Sequence, residues 1–168
     1  SRMSAHDLKL EEIVNPETLR RKINELADSA DESYTSLPVR KVVLHALKDA
    51  LVRGRGVAEN MLMKDGGGTL CARRLSYLMD TLISALFEFA STKAYPMTNP
   101  SKAENMAIVA VGGYGRGGLA PGSDIDLLFL LPYKQTPWGE QVAEYMLYML
   151  WDMGLKVGHS TRNIDECI

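Results

Sequence analysis

The chain has 168 residues, 46% of them hydrophobic and 24% charged, which is the balance of a folded globular protein long enough to bury a core and excludes a disordered or fibrous one. A formal net charge of -2 gives no bulk attraction to polyanions, so it argues against nonspecific nucleic-acid or membrane-surface binding and makes any phosphate recognition local. Cys71 and Cys167 are the only cysteines and have no partners at ligand spacing, so neither a disulfide framework nor a zinc site is expected, and a reducing cytoplasm fits.

Ser1 and Arg2 stand before what reads as a starting Met3, with no apolar signal segment behind them, so secretion is not expected. Asn15-Pro16-Glu17 supplies a cap, a first-turn proline and an acidic first turn, and Leu19, Ile23 and Leu26 follow on one face of a short helix. The polar stretch 28–36 breaks that period, and Ser36-Leu37-Pro38 starts a second helix carrying Val42, Val43, Ala46, Leu47 and Ala50, with Gly54 and Gly56 expected to loosen its middle. Gly66-Gly67-Gly68 reads as a flexible break before a long third helix, capped by Thr69 and striped by Leu75, Leu78, Leu82, Leu86 and Phe89.

Pro96, Thr98, Asn99, Pro100 and Ser101 mark a boundary, dividing a helical segment, 1–95, from a second region, 96–168. There, 106–111 and 125–131 are apolar runs of strand length, both read as buried strands. A helix over 136–153, with Val142, Met146, Met149 and Leu150 at helical spacing, is stopped by Gly154; a third strand is predicted at 155–160 and another helix from Asn163. The apolar stretch 145–151 is far too short to span a bilayer, and its methionines are read as core packing. The chain ends inside an apparent element, as expected of a truncated unit.

The chemistry is concentrated between Val111 and Leu127. Glycines directly after a strand, here Gly112, Gly113 and Gly115, let the backbone approach an anion and aim several N–H groups at it, which suits a triphosphate. Asp124 and Asp126 stand two apart at the start of a strand, so alternation points both carboxylates to one face while Ile125 and Leu127 enter the core. Adjacent carboxylates repel unless a cation lies between them, and hard oxygen ligands of this type suit magnesium, or manganese. With divalent ions in place, the pattern predicts nucleotidyl transfer by in-line displacement at phosphorus, with Asp124 and Asp126 as the catalytic, metal-holding pair and Arg116 and Ser123 on phosphate oxygens.

Rival readings fit less well. Gly113 to Gly118 also satisfies the dinucleotide-binding glycine pattern, but Pro121 and an immediate strand replace the helix that pattern needs, and the Walker pattern lacks its Gly-Lys-Ser/Thr. His159 at the third strand reads as a packing or hydrogen-bonding residue, His6 and His45 have no ligand partners, and Arg53 and Arg55 read as a solvated helix face.

Gly112-Gly113, ten residues, then Asp124-Ile125-Asp126 resembles the DNA polymerase β-type nucleotidyltransferase superfamily. The longer string Gly112-Gly113-Tyr114-Gly115-Arg116 with Leu119, Pro121 and Ser123-Asp124-Ile125-Asp126-Leu127-Leu128 is similar to its bacterial PII uridylyltransferase branch, as is Val157-Gly158-His159-Ser160 with Arg162 and Asp165-Glu166-Cys167. The resemblance is strong over 107–168 and weaker in the helices before it, where Arg73-Arg74-Leu75-Ser76 and Asp80 carry it.

The resemblance implies an α+β fold, a helical segment followed by a small mixed β-sheet flanked by helices and truncated at the C-terminus. It also implies transfer of UMP from UTP to a tyrosine hydroxyl of the PII signalling protein, with glutamine regulating through domains absent here. Two positions depart from the branch: Gly118 stands where an acidic residue is usual, and 156–160 offers no third carboxylate, Asp165 and Glu166 falling on the following element. Weak turnover by this stretch alone is therefore expected. The glycines and aspartates do not read the base, so an AMP-transferring relative is the alternative within enzymes, and a nucleotide-binding or docking module the alternative outside them.

Overall fold

Helix starts occur where side chains can accept the first free backbone N–H groups. The computed structural model describes residues 8–97, 107–111, 125–131 and 136–163, with the side chains of 107–111 and 131 not described. A single turn, α1 (Leu10–Ile13), buries Ile13. Helix α2 (Pro16–Ser29) starts where Asn15 Oδ1 accepts from the Thr18 N–H at 3.0 Å, and it buries Leu19, Ile23 and Ala27. Helix α3 (Leu37–Asp65) starts where Ser36 Oγ accepts from the Val39 N–H.

Helix α3 is continuous through Gly54 and Gly56, contrary to the expectation that they loosen it. At Gly54 the missing side chain is taken up by packing: an added Cβ would lie 2.6 Å from a Leu78 methyl. The glycine run after α3 is a tight turn rather than a flexible break. Gly66 takes a left-handed conformation, φ 64, and its N–H donates to the Leu62 carbonyl, closing the helix end. Helix α4 (Gly68–Phe89) then begins after Gly67 without a side-chain cap, so Thr69 lies within the first turn and does not cap it. The turn is held from below by Arg74, which is 2% exposed. Its Nε donates to the Leu8 carbonyl and its Nη1 to Asp65, each at 2.9 Å, while the Gly67 N–H donates to the other Asp65 oxygen. Helix α4 runs into a π-helical turn, Ala90–Ala94.

The sheet has order β1-β2-β3, with β1 (Ala107–Val111), β2 (Ile125–Leu131) and β3 (Val157–Asn163). Strand β1 is antiparallel to β2 and β3 is parallel to it, so the sheet is mixed. A parallel neighbour needs a long crossover, here helix α5 (Pro137–Asp152), capped by Thr136 and followed by Gly154 at φ 86. Strand β3 lies later than its composition indicates. Pairing with β2 continues to Leu131↔Asn163, and this ladder overrides the polar run from Ser160, so Asn163 ends a strand instead of starting a helix; 164–168 lie outside the described residues.

One apolar cluster spans both regions, from Ile13 and Ile23 through Leu47, Leu78, Leu82, Leu86 and Phe89 to Ile125, Leu127, Phe129, Met146 and Met149. Burying each such large side chain contributes about 1.5–3 kcal/mol relative to exposure, and the methionines of α5 act as packing, as their spacing indicates. The expected boundary at Thr98 to Ser101 lies outside the described residues. On either side of it the two regions are tied together: Trp138 Nε1 donates to the Tyr95 carbonyl, and Arg40 of α3 pairs with Asp152 at 3.2 Å across the ends of α3 and α5. The same guanidinium lies over the rings of Tyr145 and Tyr148, 5.8 Å from each centroid.

Candidate functional site

Strand β2 alternates as a strand buried on one face must. Ile125, Leu127 and Phe129 are buried under the helices, whereas Asp126 is exposed and Leu128 and Leu130 are half-buried. The strand read as buried is therefore buried on one face, the one that Ile125 and Leu127 were expected to fill. Asp126 lies on the middle strand, with Val111 as its partner on β1 and Gly158 as its partner on β3. Neighbouring strands lie about 4.8 Å apart, so the carboxylate-bearing residue stands beside the last strand residue before the glycine run.

Of the predicted site residues, Asp126 is described; Gly112, Gly113, Gly115, Arg116, Ser123 and Asp124 lie outside the described residues. No group of three or more His, Cys, Asp or Glu arranged to hold a metal occurs among the described residues. Strand β3 has the sequence VGHSTRN and carries no carboxylate. What Asp126 offers is an exposed hard-oxygen ligand with no ion-pair or hydrogen-bond partner among the described residues.

Gly158 was not singled out from its residue type. A Cβ built on it would lie 2.8 Å from Asp126 Oδ1, so the carboxylate occupies the space that a side chain on β3 would take. The available signal was a lone glycine inside a strand, which weakens the strand and often marks the close approach of another group. Ser160 and Arg162, partners of Leu128 and Leu130, share this face of the sheet by register.

His159 falls on the other face. It pairs with Leu127, is exposed, and lines a groove of about 260 Å³ with Glu140, Glu144, Tyr148, Trp151 and Thr161, away from Asp126. Arg53 is largely exposed and pairs with Asp49 one turn earlier at 3.1 Å, the solvated helix face read from the sequence. No helix among the described residues is long and apolar enough to cross a membrane.

Residues 47–148, more than half of the chain, match the family model described as glutamate-ammonia ligase adenylyltransferase. The bifunctional uridylyltransferase/uridylyl-removing enzyme of Bradyrhizobium sp. strain BTAi1 is 58% identical over 129 residues, which cover 77% of this chain; the aligned stretch spans 14% of that relative's length. No solved structure matches. An exposed aspartate on a central strand, beside the residue that leads into a glycine run, accords with these sequence matches, and the chain belongs to the nucleotidyltransferase family that the adenylyltransferase model describes, close in sequence to the bifunctional uridylyltransferases.

Proposed function

We propose that this chain carries the nucleotidyl-transfer site of a uridylyltransferase, which moves UMP from UTP to a tyrosine hydroxyl of the PII nitrogen-regulatory protein. The observation that supports this reading is the register Val111↔Asp126, which pairs an exposed carboxylate with the strand residue that precedes Gly112-Gly113-Tyr114-Gly115 in sequence. The uridylyl group is inferred from the relative's name, and the PII acceptor from the sequence resemblance at 107–168.

In the reaction the phenolic oxygen attacks the α-phosphorus and the bond from that phosphorus to the oxygen bridging to the β-phosphate breaks. A tyrosyl–UMP ester forms, pyrophosphate departs with the electron pair, and the phenolic proton is released. Backbone N–H groups at Gly112, Gly113 and Gly115 bind the triphosphate, and Arg116 and Ser123 take phosphate oxygens, each by charge-assisted hydrogen bonding. Asp124 and Asp126 are the residues that would hold magnesium or manganese, which when bound neutralises phosphate charge and favours the ionised acceptor hydroxyl. Asp126 fits that role because it is exposed, and because its partner on β3, Gly158, carries no side chain to crowd the carboxylate.

The test is transfer of label from α-labelled UTP to PII by the intact protein in magnesium. Asp126→Asn should lower the rate at least about 100-fold, since even residues that only support metal ligands cost 10–100-fold, with the fold retained by circular dichroism. Unchanged transfer by the variant would sink the site.

A second reading, transfer of AMP, is favoured by the matched family model. Labelled ATP run in parallel separates the two, and incorporation from ATP with UTP inert would replace the uridylyl reading. If no triphosphate is incorporated, and Asp126→Asn still binds the partner as the parent protein does, the chain is a docking module.

A further inference from the structure

We propose that Gly158 is a positioning residue for Asp126: the missing side chain on β3 sets the direction in which the Asp126 carboxylate leans. The inference rests on the reading of Asp126 as a metal-holding residue.

Asp126 and Gly158 are cross-strand partners in a parallel pair, so anything attached to the Gly158 Cα shares the face of the sheet that Asp126 occupies. An ideal Cβ there would lie 2.8 Å from Asp126 Oδ1 and 4.0 Å from Cγ, and among the described residues it would meet no other heavy atom within 4 Å. Among the described residues the carboxylate alone uses the space. A glycine inside a strand costs conformational entropy and gives up side-chain packing, so its presence is locally unfavourable, and leaving room for this oxygen is the compensation visible in the structure.

The obstacle also predicts what a larger residue would do. At Gly54 an added Cβ would meet the side chain of a fully buried leucine and, at 3.2 Å, the Ile13 carbonyl, neither of which has anywhere to go. At Gly158 it would meet the tip of an exposed side chain rather than backbone or a buried group. Alanine at that position is accommodated by swinging the carboxylate aside, so the fold survives and the ligand geometry does not.

The experiment measures Mn²⁺ affinity by electron paramagnetic resonance in the presence of UTP, together with thermal midpoint and transfer rate, on the intact protein. The variants are Gly158→Ala, Asp126→Asn, Asp126→Ala, the double variant Asp126→Ala with Gly158→Ala, and Gly56→Ala as a control glycine with no neighbour among the described residues within 4 Å of the added Cβ. The expected result is a 10–100-fold loss of Mn²⁺ affinity in Gly158→Ala, on the order seen when metal ligands lose their support. The thermal midpoint should be retained, Gly56→Ala should bind as the parent does, and Gly158→Ala should have no further effect on affinity once Asp126 is alanine.

Parent-like affinity in Gly158→Ala, alongside a loss in Asp126→Asn, would overturn the inference and leave the site standing. Parent-like affinity and transfer in Asp126→Asn would instead remove the reading on which it rests. A Gly158→Ala chain that fails to fold, or that loses equal affinity in both backgrounds, would also overturn it, because the effect would then not pass through the carboxylate.

Discussion

In the helical layer, the place of a Gly54 Cβ is filled by methyl groups of Leu78; in the sheet, the place of a Gly158 Cβ is filled by a carboxylate oxygen of Asp126. The charges differ in the same way. Arg74 is buried with its donors engaged by the Leu8 carbonyl and Asp65, whereas Asp126 is exposed and without a partner among the described residues. Close approach in the helices joins apolar groups and satisfies a buried cation, and so contributes stability. Close approach in the sheet orients a group that contributes nothing to the core. The difference predicts that substitutions in the two regions affect different measurements.

Arg74→Ala should be the most destabilising, by about 3 kcal/mol, because it empties packed volume and leaves the buried Leu8 carbonyl without its donor. Chemical denaturation measures this. The Arg74 guanidinium and then the Gly67 N–H hold the Asp65 carboxyl below the usual carboxylate range. A depressed folded value means that this contribution is present above about pH 3.9 and is lost as pH falls through the lowered value. Arg74→Ala should weaken that acid-side loss, and an unaltered acid limb would break the assignment.

Gly54→Ala comes next, with a loss of about 1–3 kcal/mol from overpacking against Leu78, and with metal affinity unchanged. Reduced metal affinity at full stability would reverse the contrast with Gly158.

Tyr145 lies where the two regions meet. Its hydroxyl is buried without a hydrogen-bond partner among the described residues, and burial, opposed by Arg40, pushes its pKa up to about 12. Tyr145→Phe removes an unsatisfied polar atom and should raise stability by about 1 kcal/mol. A raised folded pKa on an acid means the contribution is intact below about pH 10, the ordinary tyrosine value, and is lost as pH climbs toward 12. Melting curves across that range should fall more steeply for the parent than for Tyr145→Phe.

The smallest effect is expected at Gly56→Ala, a gain of about 0.5–1 kcal/mol from helix propensity alone, since nothing among the described residues lies within 4 Å of the added Cβ. A loss there would mean that helical glycines in this layer serve packing more widely than at Gly54.

Much of the fold was legible because it depends on short-range chemistry. Asn15, Ser36 and Thr136 announce three helix starts, each with a side-chain oxygen that accepts the backbone N–H three residues on. The alternation of Ile125, Asp126 and Leu127 announces a strand with a carboxylate outside the core. Less legible was the end of β3, because the polar residues from Ser160 to Asn163 are held as strand by their ladder with β2 and not by their own propensity. Thr69 was misread for a similar reason: it has the chemistry of a cap, but α4 already begins at Gly68, next to the turn that Arg74 and Asp65 secure.

By itself the sequence determined the glycine run, the aspartate pair and the amphipathic helices, since each is a pattern of residue types within a few positions of one another. Only the tertiary structure decided that Val111 and Gly158 flank Asp126, that His159 faces the other way, and that Gly54 and Gly158 answer to different neighbours. Strand register and helix packing join residues tens of positions apart, and residue types alone do not encode which of them will touch.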